Sequence, residues 1–406
     1  MRTADVVVVG GGIAGKACAL GLAQLGLQTI EIAPDLGQIV ASPQGTQWGQ
    51  RIYAFSPSTQ KLLAHLQVWD AIDHSRLQPV RDMRIYGDRG EKNDQLHLSA
   101  FEAGTPQLAW IGESNLIEHT LDQASRFQNK LERISDVVEK IHVDADGSTL
   151  HLKNGGSIRA QLVIAADGAN SPIRNEIGIS ASEESYSQSA VVANWLCTYP
   201  HLETAFQWFL PSGDIVAMLP LPGKQVSMVW STSPEHATDL LKLDQAQWLD
   251  RFASIANGVI LKQLGELTLN SIPAAYPLRK IRAKRFIGPE ASPKVVLIGD
   301  AAHVMHPLAG QGLNLGLRDV AVLLNILGKR ESFRTPSDIV LLRRYERQRQ
   351  GDTSALLWVT DKLKKLFSAS SNTERQLRNW GLGLVNKSHF IKQRLIERAL
   401  GEIDFE

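Results

Sequence analysis

The stretch from Ala4 to Ala33, ADVVVVGGGIAGKACALGLAQLGLQTIEIA, leaves this chain few folds to adopt. Four consecutive valines, Val6–Val9, read as a strand covered on both faces, as in a parallel sheet flanked by helices. The strand runs into Gly10-x-Gly12-x-x-Gly15, and a helical pattern continues to about Leu25, where Gly26 ends it. A second strand, Gln28–Ile32, follows. Glycine spacing alone is a weak signal. Between a strand and a helix, in a unit of about 30 residues, it predicts a dinucleotide-binding turn. Gly10 permits the tight turn, Gly12 lets a pyrophosphate approach the backbone, and Gly15 lets the helix pack on the sheet. Ile13 and Ala14 lie within the same turn, and the helix N-terminus attracts the anion. The other reading is a plain glycine turn in a doubly wound domain.

A ribose-binding acid is expected about 20 residues on, at the end of the second strand. Glu31 is the acid of that strand, two residues before the usual position, which is Ala33. The two share a strand face, so Glu31 either reaches the ribose or is an ordinary strand glutamate.

Two further strand exits follow. LVIAADGANSPIR (Leu162–Arg174) is a buried strand leading to Asp167-Gly168. The segment before it, 131–160, reads as a small β-meander with hairpin turns at Asp146-Gly147 and Asn154-Gly155. VVLIGDAAHVMHPLAGQGLNLGLRD (Val295–Asp319) is a strand over Val295–Ile298, an exit at Gly299-Asp300, and a glycine-rich segment, Gly310–Gly316, opening a helix. His303 and His306 are candidate bases, though a histidine beside a strand exit is more often structural. Neither has Cys, Asp or Glu at metal-ligand spacing, so no metal is expected.

Taken in order, these three motifs resemble the flavoprotein aromatic hydroxylases of the para-hydroxybenzoate hydroxylase fold. Within that group GDAAHVMHPLAGQGLNLGLRD, RIYAFS (Arg51–Ser56) and YERQR…TDKLKKLF (Tyr345–Phe367) are similar to the hydroxylases of ubiquinone biosynthesis, and the likeness extends over nearly the whole chain. The resemblance implies FAD, with Gly10, Gly12 and Gly15 on its pyrophosphate and Arg51 near the cofactor. It places Asp300 on the ribitol or ribose hydroxyls and the flavin ring at Gly310–Asn314. Asp167 and Gly168 would serve the pyrophosphate region indirectly, and Asp167 is linked in the family to nicotinamide-cofactor use. On this reading Gly310 and Gly312 clear side chains from the loop. Backbone N–H groups around Gln311, Leu313 and Asn314 then face the flavin's N1–C2=O edge, at the positive end of a helix. Pro307 suits a rigid approach to that loop. The alternative is a glycine-rich helix cap.

Between the second and third anchors the texture changes. Ala190–Tyr199, Phe206–Leu210, Ile215–Leu221 and Val226–Ser231 read as an antiparallel meander, to which Met83–Asp88 and Leu96–Phe101 add strands. Trp195, Trp208, Met218, Met228 and Trp230 give this sheet a large apolar surface. They either wall an aromatic substrate or form the sheet's own core. From Leu341 on, the pattern is helical and basic, with Arg343, Arg344, Arg347, Arg349, Lys362, Lys364 and Lys365 outnumbering nearby acids. Such a helix lies on an anionic membrane surface, docks a partner, or caps the FAD domain with a solvated basic face.

The expected fold is thus α/β: a Rossmann-like FAD-binding domain with an inserted antiparallel β-sheet domain and a C-terminal helical segment. The expected divisions are 1–81, 107–181 and 281–335 for the discontinuous FAD domain, 82–106 and 182–280 for the substrate sheet, and 336–406 for the C-terminal helices. The resemblance implies a monooxygenase that hydroxylates a polyprenylated phenol through a flavin C4a-hydroperoxide. O2 is the co-substrate and NADPH or NADH the electron donor. Rival readings are another FAD oxidoreductase on this scaffold, such as a reductase, and a non-catalytic flavin-binding scaffold of a biosynthetic complex. A net charge of +1 gives no reason to expect a nucleic-acid partner. Two cysteines, Cys18 and Cys197, make no disulfide framework and fit a reducing compartment. No apolar stretch approaches the ~20 residues of a membrane span. The expected location is cytoplasmic, at most peripheral to the inner membrane.

Overall fold

The structure, a computed structural model, describes residues 1–35, 48–87, 95–305 and 311–367. His306, Pro307, Gly310 and the basic segment beyond Phe367 lie outside the described residues. In chain order, β1 (Arg2–Val9) passes through the glycine turn into α1 (Ile13–Gln24) and β2 (Thr29–Ala33). Then come β3 (Ile52–Phe55), α2 (Pro57–His65), β4 (Gln78–Val80), β5 (Asp82–Tyr86), β6 (Gln95–Ser99), β7 (Ala109–Glu113) and α3 (Ser114–Ser125). β8 (Leu131–Ser135), β9 (Val138–Val143), β10 (Ser148–Leu152), β11 (Ser157–Ala165) and the short α4 (Pro172–Glu176) lead to the long β12 (Ala181–Cys197). β13 (Thr204–Phe209), β14 (Ile215–Leu221) and β15 (Gln225–Thr232) precede α5 (Pro234–Leu240), α6 (Gln245–Ser254), α7 (Val259–Leu264), β16 (Leu267–Leu269) and β17 (Ala274–Ala283). β18 (Ile287–Gly288), β19 (Val295–Leu297), β20 (His303–Val304), α8 (Gln311–Gly328) and α9 (Ile339–Phe367) complete the order.

The strands form three sheets. In the first, β8-β2-β1-β11-β19 run parallel, with β18 antiparallel at the edge and β9–β10 hanging from β11 as a hairpin. The valine run explains the centre: Val6, Val7 and Val8 are fully buried, and Leu162–Ala165 and Val295–Leu297 beside them are equally so. A strand covered on both faces needs no alternation, and none is present. The segment read as one meander is divided: β9, β10 and β11 keep that form, but β8 leaves it to pair parallel with β2. Its partner is fixed by the crossover through α1 and α3, not by the nearest hairpin.

The second sheet runs β20-β17-β12-β15-β14-β13-β5-β6, with β16 beside β12, and is antiparallel apart from the β13–β5 pair. β20, from the third anchor, joins this sheet at β17 and so stitches the two sheets together. A three-stranded sheet, β3-β7-β4, packs against the second, with Val80 and Ile111 buried beside Ala205 and Leu221.

The register of the second sheet bears on the two readings of its large residues, substrate wall or sheet core. Phe206 pairs with Met218 and Met218 with Met228; Trp208 pairs with Val216 and Val216 with Trp230. All point to one face, and α5, α6 and α7 cover it. Trp195, Trp208, Met218, Met228 and Trp230 are buried there with Leu240, Trp248, Phe252, Ile260 and Leu264. Trp195 meets Trp248 edge-on at 5.3 Å, and Tyr86 stacks on Trp208 at 5.6 Å. These side chains are the sheet's own core. Both faces of the strands are apolar, so alternation could not say which face looked outward, and three short helices between β15 and β16 decide it.

Because Trp208 is wholly enclosed, Trp208→Ala should cost about 3–5 kcal/mol in stability. Urea unfolding checks this, and a change within measurement error would mean the face is open to water.

Candidate functional site

The exits of β1, β11 and β19 meet at one point. Ala166 N–H donates to Val9 O at 2.8 Å, and Ile298 N–H donates to Ala165 O at 3.0 Å, so the three strand ends are hydrogen-bonded side by side. The approach is too close for side chains. Gly10 has φ +125°, and a Cβ there would lie 2.1 Å from Ala166 O; a Cβ on Gly15 would lie 2.0 Å from Gly10 O. Where α8 crosses the exit of β19, a Cβ on Gly316 would stand 3.0 Å from Gly299 Cα. Gly12 and Gly312 differ: an added Cβ meets nothing within 4 Å at either. Gly10 and Gly15 therefore let backbone pack on backbone, whereas Gly12 and Gly312 leave space for something else.

That space is a cavity of about 450 Å³. Gly12–Gly15, Arg51, Gly168, Asp300, Gly312 and Leu313 line one side, and Met83, Ala205, Gln207, Ala217, Leu219, Val229 and Ser231 of the second sheet line the other. α1 begins at Ile13 and α8 at Gln311, so both helices direct their N-terminal N–H groups and positive ends toward it. Asp300 is exposed on the cavity's surface, and the protein packed around that opening raises its carboxyl above the ordinary value against the pull of His303 and Arg279. Glu118 of α3 also lines the cavity and is raised by burial, opposed by Lys16 and Arg51.

Other expected residues are placed differently. Glu31 is buried and its carboxylate accepts from Arg133 Nε at 2.8 Å, with Lys16 Nζ 4.0 Å away. It is not among the residues lining the cavity, and its ion pairs fit the strand-glutamate reading. Asn314 is buried with its side chain committed: Oδ1 accepts from Ser56 N at 2.9 Å and Thr59 Oγ1 at 2.7 Å, and Nδ2 donates to Ala54 O at 2.8 Å. It ties α8 to the end of β3. Asp167 accepts the Ile173 N–H at 3.0 Å at the start of α4, and burial raises its carboxyl. Arg174, in that helix, reaches across to Ala301 O at 2.9 Å and binds the second anchor to the third.

One group that the motif reading left without a role is Asp319. Fully buried in α8, it accepts from Gly299 N at 2.8 Å, His303 Nε2 at 2.8 Å and Arg349 Nε at 2.6 Å. It fixes the turn that presents Asp300, and it assigns His303 a structural place. Burial alone would raise its carboxyl, but His303 and Arg349 outweigh that and hold it below the ordinary value. A lone acid in the apolar run after GLNLGLR was the available signal. Among the described residues no cluster could hold a metal ion.

The family model described as FAD binding domain matches residues 3–357. The chain is 33% identical to 3-demethoxyubiquinol 3-hydroxylase of Escherichia coli (strain K12), over 98% of each chain. It is 31% identical to the mitochondrial ubiquinone biosynthesis monooxygenase COQ6 of Homo sapiens, covering 97% of this chain and 92% of that one. Among solved structures, p-nitrophenol 4-monooxygenase PnpA from Pseudomonas putida DLL-E4 superposes with a TM-score of 0.76 at 21% identity over 100% of both chains. Klebsiella pneumoniae HpxO, complexed with FAD and uric acid, gives 0.72 at 20% identity over 98% of this chain and 97% of that one.

Two outcomes follow from this geometry. Gly12→Val should fold with an unchanged apo melting temperature and purify without FAD, whereas Gly15→Ala should lose roughly 1–3 kcal/mol of stability; flavin absorbance and thermal melts separate the two. Asp319→Ala strands Arg349 in the interior and should cost about 3–5 kcal/mol at neutral pH. The Asp319 carboxyl is depressed in the fold, so its contribution is complete above about pH 4 and is lost as pH falls through the lower folded value. The stability gap between wild type and Asp319→Ala in urea titrations should accordingly narrow only in acid.

Proposed function

This chain belongs to the FAD-dependent monooxygenases of ubiquinone biosynthesis, and on that premise we propose that it hydroxylates the ring of a prenylated phenol with electrons from NADPH or NADH. The observation that carries the reading is the single cavity running from the bare-backbone turns to the inner face of the antiparallel sheet. FAD fits the first part. Gly12, Ile13, Ala14 and Gly15 at the start of α1 would take the pyrophosphate, Asp300 the hydroxyls of the ribitol or ribose, and Gly312 with Leu313 at the start of α8 the flavin's carbonyl edge. When bound, FAD supplies the two-electron reduction that lets O2 yield one oxygen atom to the ring and one to water. The sum is phenol, O2, NAD(P)H and a proton giving hydroxylated phenol, NAD(P)+ and water.

The protein supplies position and dryness. Met83, Ala205, Ala217, Leu219 and Val229, with Val80 of β4 beside them, make this side of the cavity mainly apolar, which suits a phenol and keeps water from the reacting centre. The buried Asp319 holds the Gly299–Asp300 turn without entering the cavity. A scaffold without catalysis would have no use for a second, apolar chamber beside the cofactor region, and this observation favours the hydroxylase.

No helix among the described residues is long and apolar enough to cross a membrane. On α9, Arg343 and Arg347 lie exposed one turn apart and border a groove with Arg282. A prenylated substrate is lipid-soluble, and this basic face supports contact with an anionic membrane surface or with a complex of the same pathway.

Purified holoenzyme should be yellow and should oxidise NAD(P)H faster when a short-chain 2-prenylphenol is added. Under 18O2 the product should carry one labelled oxygen. NAD(P)H oxidation without label in the product would make it a reductase, and neither activity would leave the scaffold reading.

A further inference from the structure

The sheet side of the cavity contains two polar side chains among the described residues, Gln207 on β13 and Ser231 on β15. Gln207 pairs with Ala217, and Ala217 with Val229; in the next row Ile215 pairs with Ser231. These residues share the face opposite Trp208, Met218 and Met228, so their side chains point into the chamber. From the strand spacing and rise, the backbones of Gln207 and Ser231 stand roughly 12 Å apart, with the small Ala217 and Val229 beside the line that joins them. That is room for a substituted benzene ring.

Gln207 is half-buried, and its carboxamide hydrogen-bonds to no described residue. The amide opens onto the cavity, and apart from Ser231 the sheet wall around it is apolar. Building on the phenol-hydroxylase reading above, we infer that Gln207 is a specificity-determining residue that recognises the substrate's ring hydroxyl. A carboxamide both donates and accepts, as a phenol does. It takes no proton at neutral pH, so it orients the ring without ionising it. Ser231, across the chamber, is placed to meet a second oxygen substituent, while the apolar floor between them accepts the ring itself. Arg51, Glu118 and Asp300, the charged groups of the same cavity, come from the dinucleotide side.

The test compares a short-chain 2-prenylphenol with its methyl ether, which keeps the shape and loses the hydroxyl proton. Each is titrated into oxidised holoenzyme, and binding is read from the perturbation of flavin absorbance. Wild type should bind the phenol roughly tenfold more tightly than the ether. Gln207→Leu should lose that preference while keeping flavin content, melting temperature and affinity for the ether. Product formed per NAD(P)H consumed should fall with the phenol. If Gln207→Leu keeps the full preference for the phenol, the inference is overturned and the hydroxylase reading stands. If wild type binds neither compound and hydroxylates neither, that reading is overturned and the inference with it.

Discussion

The structure depends on three strand ends being brought closer than side chains permit. Ala166 O stands where a Cβ of Gly10 would be, and Gly10 O where a Cβ of Gly15 would be. With those contacts made, β1, β11 and β19 end level with one another, α1 starts directly above them, and a row of N–H groups faces one cavity. The proposed pyrophosphate site is therefore a property of the sheet's central packing, and the loops only complete it.

Bare backbone is also weak backbone, since glycine loses the most conformational freedom on folding. The offset comes from Asp319. One carboxylate takes the Gly299 N–H, the His303 ring and the Arg349 guanidinium, so a turn at φ +58° is held by charge-assisted hydrogen bonds in a dry interior. Arg349 belongs to α9, and Arg349 Nη1 also meets Asp352 at 2.8 Å. Through Arg349 the C-terminal helix thus helps to shape the turn carrying Asp300, which gives it a structural duty apart from its basic outer face.

How much of this was legible follows from what each motif encodes. Glycine spacing encodes backbone conformation, and the β1–α1 turn could be read because bare backbone is itself the requirement. The role of Asp300 came from the family resemblance and not from local spacing; the structure sets that residue on the cavity. Asn314 and Asp319 were not distinguishable by type: both are polar residues in one apolar helix, and their partners, Ser56 and Thr59 for one and Arg349 for the other, lie 30 or more positions away along the chain. Glu31 had the right residue type near the right place, but Arg133, on a strand that pairs through a crossover, occupies it. Long-range pairing of this kind leaves no mark in local spacing.

The substrate sheet carries the sharper lesson. Tryptophan and methionine attract attention as ligand-binding groups because they are large, yet a sheet with a helical layer on one side needs large residues there to fill the space. The other face must do the reverse. It has to leave room for a ring, so it carries Ala205, Ala217 and Val229, residues too small to be noticed, with a single amide among them. In such a sheet the empty volume is the functional element. It follows that residues defining specificity are to be sought opposite the bulky ones, one position along each strand, where shortness of side chain makes the chamber and one unpartnered polar group sets the orientation of what enters it.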